Sequence, residues 1–106
     1  MDYSETIVQA VWEHGRAAPD RDADLWRKDQ CGAWLHREQY NNEKSEYGWK
    51  ILKVVADAGN DTDQLRPFHC GNAFDIANGR AQCRVTADRA GLAPGQSVDQ
   101  PRNSGV

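Results

Sequence analysis

The chain lacks an apolar run of the roughly 20 residues needed to cross a bilayer. Its first residues, Met1-Asp2-Tyr3-Ser4-Glu5, are acidic and carry neither the basic nor the apolar region of a secretory signal. These two absences lead to the expectation of a soluble, cytoplasmic protein. A basic balance is lacking too. Sixteen Asp and Glu stand against 13 Lys and Arg, for a formal net charge of -3. Residues 1–50 hold ten acidic and seven basic side chains, and residues 51–106 hold six of each. Neither half is basic, so affinity for nucleic-acid phosphate should be weak and direct nucleic-acid binding is not expected. Cysteine is sparse. Cys31, Cys70 and Cys83 are an odd number with no CxxC spacing. Buried free thiols are the expectation. The alternative is a zinc site drawing on Cys31, His69 or Cys70, and Cys83.

At 106 residues the chain has room for one domain with one modest core. Ser4 is a good N-cap, and Ile7, Val8, Val11 and Trp12 follow at helical spacing, with Gly15 as a stop. Residues 17–24 read as a linker with Pro19, and Leu25-Trp26 as an apolar anchor. Cys31 to Arg37 and Gly48 to Val55 read as two strands, each with a Trp. The polar stretch Glu38 to Glu46, with Asn41-Asn42, reads as a long hairpin loop between them. Leu65 to Phe68 is extended around Pro67. A helix is expected from His69 or Cys70 to about Ala77, ended by Asn78-Gly79, with a last short strand at Gln82 to Thr86. From Asp88 onward almost nothing is apolar, so 1–87 is expected to fold and 88–106 to be a disordered tail.

Several of these pieces stand in a telling order. Leu25-Trp26-Arg27-Lys28-Asp29-Gln30-Cys31-Gly32-Ala33-Trp34 is followed by Ser45-Glu46-Tyr47-Gly48-Trp49, then by Leu65-Arg66-Pro67-Phe68-His69 and Asn72. Together they resemble a small bacterial and phage branch of the HNH (ββα-metal) endonucleases, over roughly Val11 to Thr86. The resemblance implies an α+β fold: an HNH-like ββα core with an added N-terminal helix. In such enzymes the run after Tyr-Gly-Trp ends in a metal-ligating Asp and a His that serves as general base. Here those positions are Leu52 and Lys53. A family Asn corresponds to Gln64, and the family's Gly-containing loop is shortened to residues 56–63. Asn72 matches a position near the last metal ligand, and His69 stands where the family has a His outside the catalytic pair. Leu52 offers no ligand atom. Lys53 is protonated at neutral pH and cannot take a proton from water. A hard cation needs oxygen ligands, and Asn72 with Asp75 makes a poor set. The resemblance therefore implies a degenerate nuclease with no catalytic residue, no metal and no cofactor.

That leaves binding. The expected function is a pseudoenzyme that contacts a protein with a basic, nucleic-acid-binding surface, in the manner of a phage-borne anti-CRISPR inhibitor. Glu38, Glu43 and Glu46, with Tyr40 and Tyr47 expected to be exposed, are the first candidate contacts, since aromatics dominate interface hot spots. Asp57, Asp61 and Asp63 in the short loop are the second, against the plainer reading of turn-formers. Two rival functions stay open: a metal-dependent nuclease with relocated ligands, and a non-catalytic DNA-binding remnant.

Overall fold

A computed structural model of the chain describes residues 3–57, 59 and 61–87. The expected tail from Asp88 lies outside these residues. The fold is α+β, with one α-helix and three small antiparallel sheets among the described residues. Helix α1 spans Glu5–Trp12. Ser4 caps it as expected, its Oγ accepting from the Ile7 N–H at 3.3 Å. Val8, Val11 and Trp12 form its buried stripe. Past its end, the Arg27 guanidinium donates to the carbonyls of Glu13, Gly15 and Ala23, which ties the chain after the helix to the segment around Arg27.

Strands β1 (Arg16–Ala17), β2 (Trp26–Lys28) and β3 (Trp34–His36) make the first sheet in that order. β4 (Trp49–Lys53) pairs with β5 (Leu65–His69), and β6 (Ala73–Asp75) with β7 (Arg80–Gln82). Two expectations are corrected here. The two Trp strands do not form a hairpin with each other. The Trp34 strand pairs with β2, in the stretch read as an anchor, and the Trp49 strand pairs with the strand around Pro67. Only a single parallel bridge, Tyr40 to Trp49, runs from the loop after β3 toward β4. The helix expected from residue 69 or 70 to 77 is also absent, and a β6–β7 hairpin takes its place. Asn78-Gly79 closes a tight turn, with Gly79 at φ +67° and the Asp75 carboxylate accepting from the Asn78 backbone and side-chain N–H. Asn72 and the Cys31–Cys83 bond draw the returning chain inward, which a helix running outward would not allow.

The β4–β5 hairpin divides the interior. On one face Trp49 and Leu65 join Val8, Val11, Trp12 and Leu35, and Trp12 and Trp49 meet at 5.2 Å between ring centroids. On the other face Phe68 joins Cys31, Ala81 and Cys83, with Leu52 and Phe74 packed against them. This alternation follows from the period of two along each strand. Pro67 sits in β5 because its nitrogen faces the outer edge. The cross-strand bonds Cys70 N–H to Gly48 O and Val54 N–H to Gln64 O fix the alternation, and it leaves Pro67 and His69 pointing away from β4.

The turn before β4 is closed tightly. A Cβ added at Gly48 would lie 1.9 Å from the Asn42 carbonyl oxygen. Gly48→Ala is expected to destabilise the fold by about 3 kcal/mol or more, because backbone must move. Urea unfolding checks this, and a loss below about 1 kcal/mol would contradict the close approach.

Candidate functional site

Leu52 and Lys53 close the far end of β4. Leu52 is half-buried against the Cys31–Cys83 cluster, while Lys53 is exposed. Gln64 lies beside them, its backbone oxygen accepting from Val54 N–H at 3.0 Å. His69 sits at the other end of the hairpin, opposite Trp49, with Lys53 opposite Leu65. Four residues of strand, roughly 13 Å, separate the two ends. The five positions that the sequence resemblance would gather into one site are therefore split into two groups.

The His69 group is occupied by structure. Its ring Nε2 lies 2.8 Å from the Glu46 carbonyl oxygen and its Nδ1 accepts from the Gly71 N–H at 2.9 Å. An accepting Nδ1 leaves the proton on Nε2, which donates to Glu46. The Asn72 amide is used on every side. Its Nδ2 donates to Asp29 Oδ2 and the Val85 carbonyl, and its Oδ1 accepts from the Arg84 and Val85 N–H groups. Asp29 joins the two residues. Its Oδ2 accepts from the His69 N–H and the Asn72 amide, and its Oδ1 from the Cys31 and Ala33 N–H groups, each at 2.9 Å. Burial pushes the Asp29 carboxyl above its ordinary pKa, and the N–H donors of His69, Asn72 and Ala33 pull against that rise. His69 and Asn72 turn their polar atoms to these structural partners, and the Asp29 that organises them was missed. Its signal was present in the Asp-x-Cys-Gly turn, where an Asp accepts N–H groups two and four residues on.

A divalent ion does not fit these positions. Leu52 supplies no donor atom, the Asn72 oxygen is committed to two N–H groups, and Asp29 already accepts four hydrogen bonds. Among the described residues no three His, Cys, Asp or Glu side chains converge as a metal set. The thiol expectation is corrected. Cys31 and Cys83 form a disulfide across 52 residues, which also removes them from any zinc site. Cys70 stays a free thiol, raised in pKa by burial with Lys50 opposing.

Compared with protein-family models, curated proteins and solved structures, the chain matches none of them. Its candidate surfaces therefore rest on its own geometry. Glu38, Glu43 and Glu46 are all exposed. Glu38 lies in a 3₁₀ turn, Arg37–Gln39, capped by the His36 ring. Glu43 and Glu46 border the His69 end of the hairpin. Asp57, Asp61 and Asp63 are exposed at the opposite, Lys53 end. Asp61 is a turn-former, its Oδ1 accepting from the Asp63 N–H. The acidic residues thus make two separate patches. The two tyrosines are less exposed than expected. Tyr40 packs on Trp49 at 4.9 Å and Tyr47 stands edge-on to Trp26 at 5.0 Å. Both are half-buried, because the loop folds back onto the strands through the His36 N–H to Tyr47 O and Asn41 N–H to Trp49 O bonds. Burial, with Glu46 beside it, raises the Tyr47 pKa.

Among the described residues no helix is long and apolar enough to cross a membrane.

Proposed function

We propose that the protein, a degenerate relative of HNH nucleases that lacks the helix of the ββα core, works by binding a protein and not by cutting nucleic acid. One observation carries this reading: the residues matched to the nuclease site lie at two ends of one hairpin, and His69 and Asn72 spend their polar atoms on backbone and on Asp29. The exposed Glu43 and Glu46 are the contact surface, matched to a partner with a basic face. Such a face is what nucleic-acid-processing machines present, which supports an anti-CRISPR-like inhibitor from a phage or other mobile element. The Cys31–Cys83 bond weighs against the cytoplasmic placement read from the sequence, since disulfides persist mainly in oxidising compartments.

A plasmid-nicking assay with magnesium or manganese tests the reading. No nicking above buffer is expected, and metal-dependent nicking lost in His69→Ala would sink it. For the binding arm, a partner is captured from the native host and its association measured. Glu43→Lys/Glu46→Lys should slow association about tenfold or more at low salt. The melting temperature should fall little, because both side chains are exposed and the hydrogen bond between Glu46 and Tyr47 lies at the surface. Tyr40→Ala is the wrong probe, because loss of its contact with Trp49 lowers stability as well.

A further inference from the structure

We propose that the cleft between the β1–β2 pair and the outer edge of β5 binds a small phosphate monoester. The cleft has a volume of about 310 Å³ and is lined in part by His14, Arg16, Lys28, Gln30, Arg66 and Pro67. Three cationic side chains from three different strands thus meet in a chain of net charge -3. The backbone sets their positions. Arg16 and Lys28 are direct cross-strand partners in the β1–β2 pair, so their side chains leave the same face. An oxyanion can bridge two cations so held. The Lys28 Nζ lies 4.8 Å from the centre of the Trp34 ring, which orients its stem.

Arg66 is the more specific element. Its Nη1 donates to the Asp63 and Leu65 carbonyls at 2.6 and 2.8 Å, which pins the guanidinium. Among the described residues its Nε and Nη2 make no hydrogen bond. That pinned fork edge has the geometry for two oxygens of one phosphate. Pro67 closes the wall. The Asp29 carboxylate also borders the cleft, with its oxygens turned to four N–H donors whose dipoles offset part of its charge. A space of this size is at the lower end of small-molecule sites, which suits one phosphate with a small organic group and not a strand. The inference goes beyond the protein-binding reading and does not depend on it.

The test uses the ¹⁵N-labelled full chain, titrated separately with inorganic phosphate, a nucleoside 5′-monophosphate and a short single-stranded oligonucleotide. Amide shifts are expected at Arg16, Lys28, Gln30 and Arg66 with the first two, with the monophosphate binding more tightly. Arg66→Gln should weaken that binding about tenfold, the loss of one charge-assisted contact. Arg66→Lys should not restore it, because it keeps the charge without the fork. The amide spectrum itself reports whether each variant is folded, and Arg16→Gln, at an exposed position, is the second variant. No shifts in the cleft, or shifts scattered over other surfaces, would overturn the proposal. So would saturation of the same amides by the oligonucleotide at far lower concentration than by the monophosphate.

Discussion

Replacing Asp29 by Ala is expected to cost about 4 kcal/mol or more, enough to leave much of the chain unfolded at room temperature. The carboxylate is 2% exposed and joins three segments: its own turn at Cys31 and Ala33, the end of β5 at His69, and the Asn72 side chain. Removing it leaves four buried N–H donors with nothing to bond, and each buried unsatisfied group costs about 1–3 kcal/mol. Asn72 would in turn lose the partner that holds it against Arg84 and Val85. Urea unfolding followed by tryptophan fluorescence measures the loss. Asp63→Asn, at an exposed acid, is the control and should stay within about 0.5 kcal/mol. An Asp29→Ala protein within about 1 kcal/mol of wild type would show that the network is not what holds the three segments.

Asp29→Asn keeps the shape and should still destabilise, because all four partners are donors and the amide presents a fifth. Its pH dependence has a definite sign. Burial raises the carboxyl pKa in the folded state, so the fold binds the Asp29 proton more tightly than the unfolded chain does. That contribution is fully present below the unfolded value, about 3.9. It is lost as pH rises through the raised value. The non-titrating Asn variant lacks this dependence. The stability gap between the two proteins is therefore widest in acid and narrows as pH rises through the Asp29 titration. A gap that widened instead would mean that the N–H donors outweigh burial.

Local rules made α1 legible, since Ser4, the Val8-Val11-Trp12 stripe and Gly15 act within one helix. Strand content was legible for the same reason. Pairing was not. Trp34 and Trp49 both lie in strands, but which strand each joins depends on distant residues, and no local pattern fixes it. Pro67 did carry a clue, because a proline in a strand must turn its nitrogen to an edge. The helix after His69 was misread because Phe74 and Ala77 suit a helical face as well as a hairpin. Asn72, Asn78-Gly79 and Cys83 decide against it together. At the candidate site, that Leu52 and Lys53 offer neither a metal ligand nor a neutral base was plain in the sequence. That His69 and Asn72 are structural became visible only with Asp29, 40 and 43 residues away from them.

Reduction of the Cys31–Cys83 bond should lower stability by about 4 kcal/mol, the loop-closure entropy of a loop of this length in the unfolded chain. The closed loop spans a sequence separation of 52 residues and takes in β3 through β7. Other contacts also anchor the described residues that follow Cys83. The Asn72 side chain holds Arg84 and Val85, the Thr86 Oγ1 donates to the Cys31 carbonyl, and the Ala87 N–H donates to the Gly32 carbonyl. The last two reach the same turn, at Cys31 and Gly32, that the disulfide joins, so opening the bond loosens them together. The double variant Cys31→Ala/Cys83→Ala should reproduce the loss and add a packing cost, since both sulfurs are buried in the Phe68 cluster. Cys70→Ala should change stability little and removes the one thiol able to exchange with the pair. Thermal unfolding of the wild type and of Cys70→Ala, each with and without dithiothreitol, separates these effects. Mass spectrometry after alkylation counts the thiols. A melting temperature unmoved by a reductant that demonstrably frees both cysteines would show that packing alone holds the segment after Cys83 in place.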